Sequence, residues 1–269
     1  MLPALIEPEA LHDLRPEVRK RLLLVDLCHP DRFLDQHIPG AVHVHPGDTQ
    51  GGPPVPGLAP NDQTLTELAR RISLSADTHV VVYDDEGGGW AGRFIWLLEE
   101  MGIRHWSYLN GGMHAWLGLG YEVEDGPVTV ERSNISVHNR HLHTLSCEQL
   151  KFAVQQNDVQ ILDARSPMEY RGEKSFAARG GHIPGAINYE WTRAMDQSRQ
   201  LRLRPLDQID RELNILGLDK NKPLVTHCQT HHRSGLTYLV AKLLGFQDVK
   251  AYAGSWGEWG NRPDTPIEH

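Results

Sequence analysis

The segment His227-Cys228-Gln229-Thr230-His231-His232-Arg233-Ser234-Gly235 gathers a thiol, imidazoles and a guanidinium in one short stretch. It follows the apolar run Leu224 to His227 and precedes an amphipathic stretch, Thr237 to Leu244. That order predicts a strand, a tight loop and a helix, with Cys228 at the strand end. Several backbone N–H groups can converge on such a sulfur, and a helix N-terminus adds roughly half a positive charge. Arg233 and the two histidines before it add to the field. Together these favour thiolate over thiol, and the thiolate is the nucleophile. A strand-end cysteine standing alone reads as a buried structural residue; the neighbouring His-His-Arg run turns the reading toward chemistry. Cys28 and Cys147 lack such neighbours and are expected to be structural, although Cys147 begins a helix.

Two other groupings could bear chemistry. His43 with His45, and His141 with His143, have the spacing that puts two ligands on one face of a strand. No third ligand is suggested nearby and no Cys-x-x-Cys occurs, so no metal site is expected. Gly87-Gly88-Gly89-Trp90-Ala91-Gly92 satisfies Gly-x-Gly-x-x-Gly after a strand and before a helix. Asp84, Asp85 and Glu86 would repel a pyrophosphate at that mouth, and no acidic residue closes the next strand, His105 to Leu109, to hold a ribose.

The elements that must position these residues occur twice. Leu22 to Asp26 and Val159 to Asp163 are short apolar runs ending in an acid. His37-Ile38-Pro39-Gly40-Ala41 returns as His182-Ile183-Pro184-Gly185-Ala186, an offset of 145. Val80 to Tyr83 matches Leu224 to His227 at offset 144, and Met101-Gly102 matches Leu244-Gly245 at offset 143. Leu109 to Trp116 corresponds to Tyr252 to Trp259. Landmarks in one order over both halves describe a tandem duplication. Buried runs alternating with amphipathic helices predict an α/β fold, with a parallel sheet flanked by helices in each half. The predicted organisation is a domain over 1–125, a linker over 126–146, and a domain over 147–269. Gly102 and Gly245 sit where helix C-caps are expected, and Ser146 can cap the helix that follows it. The Gly/Pro-rich segment Thr49 to Pro60 reads as a long surface loop of the first half, and Met195 to Pro205 is its basic counterpart. On this alignment Asp84 stands where the second half has Cys228. His37 and His182 occur in both copies, and so read as turn-stabilising rather than catalytic.

The chain has 269 residues, of which 39% are hydrophobic and 23% charged. At roughly 150 residues per domain, that is enough for two domains. Its net charge of −8 disfavours general binding to nucleic acid or anionic lipid. No run approaches the roughly 20 apolar residues of a membrane span. Met1 to Leu14 carries Glu7, Glu9 and Asp13 and does not read as a secretory leader. Three widely spaced cysteines suit a reducing cytoplasm.

The repeated Asp…His-Ile-Pro-Gly-Ala and the cysteine loop resemble the rhodanese family of sulfurtransferases, over nearly the full chain. The resemblance implies two tandem rhodanese-like domains, the first inactive and the second catalytic. Asp84 in place of a cysteine agrees with that pattern. It implies that Cys228 takes sulfane sulfur from a small anionic donor such as thiosulfate, becomes a persulfide, and passes the sulfur to cyanide, a thiol or a protein thiol, in ping-pong fashion. No cofactor beyond that covalent persulfide is implied. Gln229, Thr230, His231, His232 and Arg233 would line the donor site, and Trp191 matches an aromatic that lines the family's pocket. Two departures are visible. The loop is neither the Cys-Arg-Lys-Gly-Val-Thr of many thiosulfate enzymes nor the Cys-Gly-Ser/Ala-Gly-Val-Thr of mercaptopyruvate enzymes. Glu169 stands where those relatives place a donor-binding arginine, with Arg165 and Arg171 flanking it.

A cysteine phosphatase is the rival enzyme. It uses His-Cys, five residues and then Arg, whereas four residues separate Cys228 from Arg233. In the superfamily this chain resembles, the shorter loop goes with sulfur transfer. A third reading is a sulfur carrier that hands persulfide to a partner protein. A tandem of similar domains favours a monomer.

Overall fold

The computed structural model describes residues 2–269, which form two compact units. The first contains five strands: β1 (Leu5–Ile6), β2 (Leu22–Asp26), β3 (Val42–His43), β4 (His79–Tyr83) and β5 (Trp106–Leu109). All pair in parallel, in the order β1-β5-β4-β2-β3. The second unit has β6 (Gln160–Asp163), β7 (Ala186–Asn188), β10 (Leu224–His227) and β11 (Val249–Ala251), parallel in the order β11-β10-β6-β7. That order repeats β5-β4-β2-β3, as a duplication requires. At the edge where β1 pairs with β5, the second unit has only a bridge between Thr144 and Ala251.

Parallel strands need covered faces, which is why β4 reads His-Val-Val-Val-Tyr and is buried along most of its length. Helices Gly89–Glu100 and Arg233–Leu243 follow the central strands β4 and β10. Each ends before a glycine in the left-handed region, Gly102 at φ 83° and Gly245 at φ 81°. Trp96, Trp116, Trp256 and Trp259 are fully buried. Removing one such side chain to alanine costs about 3–5 kcal/mol. Trp116 and Trp259 donate their indole N–H to Glu122 O at 2.9 Å and Pro266 O at 2.8 Å, the same device in each copy.

The compact units do not follow the sequence halves everywhere. Residues 50–59 group with the second unit, and Met195–Leu203 groups with the first. The latter is the antiparallel hairpin of β8 (Met195–Asp196) and β9 (Arg202–Leu203). Arg202, nearly buried, holds it to the first unit through Glu7 at 2.7 Å and Glu9 at 2.8 Å, and Asn110 Oδ1 accepts the Leu203 N–H at 2.7 Å. The Gly/Pro-rich stretch expected to be a surface loop of the first half is therefore split from it. Its composition marks a loop, but the packing partner is a long-range choice. Among the described residues no helix is long and apolar enough to cross a membrane.

Candidate active site

Cys228 is the first residue beyond β10, the strand between β6 and β11, and is fully buried. Its peptide is pinned from both sides. The Cys228 N–H donates to Ser255 Oγ at 3.2 Å, and its carbonyl accepts the Trp256 N–H at 2.9 Å. Gln229 O accepts the Gly257 N–H at 2.9 Å. Ser255 sits at φ 54°, in the left-handed region, and its hydroxyl donates to Tyr252 O at 2.9 Å. Its counterpart in the first unit is Gly112 at φ 52°, where a Cβ would lie 2.0 Å from Asp84 O.

The loop closes tightly onto its helix. His231 takes a left-handed φ of 60°, is fully buried, and shares a hydrogen bond of 2.8 Å between Nδ1 and Ser234 Oγ. His232 is the residue before helix Arg233–Leu243. Trp191, partly exposed, presents its ring edge to His232 with centroids 5.3 Å apart. Gln229 and Thr230 differ little in depth: the loop there runs from buried to half-buried, and Gln229 Nε2 donates to Phe176 O at 3.3 Å. Gly57, from the segment that joins this unit, lies against the loop. A Cβ there would come within 2.1 Å of Ala253 O and 3.2 Å of the Thr230 carbonyl carbon, so only glycine passes. Sequence reading did not single out Gly57; the Gly/Pro density of its segment was the available signal.

The equivalent loop of the first unit is built around a carboxylate. Asp84 is fully buried. Its Oδ1 accepts from the N–H of Glu86 at 3.1 Å and of Gly88 at 2.8 Å, and its Oδ2 from that of Ala91 at 3.0 Å. The strand–loop–helix turn thus gathers donors on an anion, and in this copy the anion is the chain's own carboxylate.

Arg233 has a partner that sequence reading did not assign. Its Nη1 and Nη2 donate to the two oxygens of Glu169 at 2.7 and 2.8 Å. Ser166 caps the short helix Pro167–Tyr170 in a reciprocal capping box with Glu169, which fixes the carboxylate. Burial works to raise the Glu169 carboxyl, but the Arg233 guanidinium and the Ser166 donors outweigh it and hold the group at about 2. Burial likewise works against the Arg233 charge, and the Glu169 hydrogen bonds with the Cys228, Glu169 and Asp163 charges raise it overall. The Ser166-x-x-Glu169 pattern signals the capping box but not the pairing with Arg233. The flanking arginines are committed elsewhere. Arg165 is buried on Asp163 at 2.6 Å, donates to Gly181 O at 2.8 Å, and lies 4.3 Å over the Trp256 ring. Arg171, exposed, pairs with Glu173 at 2.7 Å.

Behind the thiol, His227 and Asp163 are both fully buried, with Nε2 and Oδ2 3.6 Å apart. Burial pulls the imidazole down to about 4 against the attraction of Asp163, so it is neutral near pH 7. The other two thiols are pushed the opposite way from reactivity. Burial, then the Asp26 and Asp85 charges, raise Cys28 far above its ordinary value; burial raises Cys147 against a hydrogen bond with Tyr252. All three cysteines are unbridged.

His37 and His182 play one role twice. Each Nδ1 meets a carbonyl, Phe33 O at 2.8 Å or Tyr170 O at 2.9 Å, and each ring stacks on that residue's side chain. Among the described residues no group of three or more His, Cys, Asp or Glu is arranged for a metal.

Comparison with known proteins agrees with this duplicated design. The family model of the rhodanese-like domain matches residues 7–119 and 146–262. The chain is 51% identical to the thiosulfate sulfurtransferase of Azotobacter vinelandii, covering 99% of this chain and 97% of that one. It is 49% identical to the thiosulfate sulfurtransferase of Pseudomonas aeruginosa, with the same coverage of 99% and 97%. Among solved structures, an Escherichia coli 3-mercaptopyruvate sulfotransferase superposes with a TM-score of 0.83 at 25% identity, covering 95% of this chain and 99% of that one.

Proposed function

Since the chain belongs to the rhodanese family and is a sulfurtransferase, we propose that Cys228 carries sulfane sulfur from thiosulfate to a thiophilic acceptor, cyanide or a thiol. In the first half-reaction the Cys228 thiolate attacks the outer sulfur of thiosulfate. A new S–S bond forms, the S–S bond of thiosulfate breaks, and sulfite leaves with the electron pair. In the second, cyanide attacks the terminal sulfur of the persulfide, thiocyanate departs, and the Cys228 thiolate returns. Charge and atoms balance in each step without an added oxidant or reductant.

One observation carries this reading. Of three thiols, only Cys228 opens the strand–loop–helix turn whose first-unit copy already collects three N–H groups on the Asp84 carboxylate. An anionic persulfide there would meet donors of the same kind. Gln229, Thr230, His231, His232 and Trp191 would surround the donor, while His231 and Ser234 hold the loop shape. Unbridged cysteines suit a reducing cytoplasm as the place of action.

The test is the intact mass of the protein before and after thiosulfate. Gain of a single sulfur atom, mapped to Cys228 and removed by cyanide with release of thiocyanate, is the expected result. Sulfur on another cysteine, or none, would refute the assignment.

A further inference from the structure

Arg233 is the guanidinium of the Cys228 loop, and one carboxylate takes both its terminal nitrogens, at 2.7 and 2.8 Å. Side-by-side pairing of this kind is the strongest form of the contact. The side chains of Arg233 and Glu169 are 19% and 5% exposed. Salt therefore screens the pair poorly. Ser166 secures the carboxylate from the other side, its hydroxyl and N–H donating to Oε2 at 2.9 and 3.2 Å. The nearby Arg165 is cancelled in the same way by Asp163. These four groups sum to zero charge, so the pull of Arg233 on an anion nearing Cys228 is offset by Glu169.

We propose that Glu169 sets the charge selectivity of the Cys228 site: by offsetting Arg233 it withholds the attraction that would favour a dianionic donor such as thiosulfate over a monoanionic one such as a thiosulfonate, R–SO2–S⁻. The proposal rests on the reading of Cys228 as the sulfur-carrying thiol. With a thiosulfonate the thiolate attacks the terminal sulfur, the new S–S bond forms, and the sulfinate R–SO2⁻ leaves with the electron pair.

Coulomb energy scales with the product of the charges. Removing the Glu169 charge therefore helps a dianion by twice the energy that it helps a monoanion, and the factor in affinity is squared. Glu169→Gln keeps the size and one acceptor for Arg233 but drops the charge. In the full chain, the KM for thiosulfate should fall about tenfold and that for methanethiosulfonate about threefold, with kcat within about twofold. Thiosulfate KM should also become more sensitive to salt. Glu169→Asp, which retains the charge, should keep the wild-type ratio of the two donors. Equal factors for both donors, or a rise in both KM values, would mean that Glu169 only positions Arg233, and would overturn the proposal. Calorimetric titration of both donors into Cys228→Ser, with and without Glu169→Gln, reads the same ratio without chemistry. If that ratio moves as expected while Cys228 takes up no sulfur in any variant, the catalytic reading fails and the selectivity stands.

Discussion

Asp84 and Cys228 occupy one position in two copies of a fold: each is the first residue after the central strand, β4 or β10, in the shared strand order. The loop from each to its helix has the same length, with Gly89 and Arg233 as the first helical residues. In the first copy the carboxylate takes three backbone N–H groups within 3.1 Å. The residue before the helix differs in conformation between the copies, Gly88 at φ 105° and His232 at φ −81°, so the turn is shared in position and length and adjusted to the side chain at its centre.

Asp84→Ala should remove the acceptor of three backbone N–H groups of the first unit, two of them in buried bonds. A loss of about 2–4 kcal/mol is expected, since charge-assisted bonds are lost together. Thermal unfolding measures it, and sulfur transfer at about 25 °C should persist if the second unit alone carries chemistry. Asp84→Cys should take up no second sulfur at a rate near that of Cys228, because Asp85 and Glu86 flank it with negative charge.

Cys228→Ser should abolish sulfur uptake, whereas Cys28→Ser and Cys147→Ser should retain most of it. Cys28 is fully buried, so its serine variant places a hydroxyl in the core at a cost of about 1–3 kcal/mol. Activity and unfolding together discriminate: lost stability with kept turnover is the expected pattern for Cys28, and lost turnover in a folded Cys28 or Cys147 variant would contradict it.

Ser255 holds a strained φ of 54° while its hydroxyl accepts the Cys228 N–H. Ser255→Gly relieves the strain and deletes the bond, so stability should stay within about 1 kcal/mol while the loop loses its tether. Ser255→Ala keeps the strain and should be the less stable of the two by about 1 kcal/mol. Turnover should fall in both, and equal turnover to wild type would show that the tether does not matter.

Acid should weaken the second unit in two stages. His227 is held at about 4 when folded and rises toward its ordinary 6.5 when unfolded, so the unfolded chain binds the extra proton between those values. Stability therefore falls as pH drops from about 6.5 to 4. Glu169, held at about 2 against an ordinary 4.5, contributes stability above 4.5 that is lost as pH falls toward 2. Each amounts to something on the order of 3 kcal/mol. Urea unfolding across this range should show the upper stage vanish in His227→Gln and the lower one in Glu169→Gln.

Much of the architecture was legible because it is local and repeated. The apolar runs became β2, β4, β6 and β10, the amphipathic stretches became the helices behind them, and Gly102 and Gly245 took the left-handed caps. Ser146 caps its helix through a reciprocal box with Gln149. The partner of Arg233 was not legible. Arg233 and Glu169 lie 64 residues apart, and nothing in either local pattern names the other.

The sequence by itself determined the duplication, the parallel α/β class, and which cysteine opens a loop among cationic neighbours. Periodicity, turn residues and repeat spacing are properties of short segments, and short segments are where propensity and patterning act. Only the tertiary structure decided that Glu169 cancels Arg233, that Arg165 is spent on Asp163, that Gly57 backs the Thr230 loop, and that the Met195–Leu203 hairpin groups with the first unit. Those are choices among distant charges and surfaces. They are settled by which partners desolvate together when the sheets and helices pack, and that leaves no periodic trace along the chain.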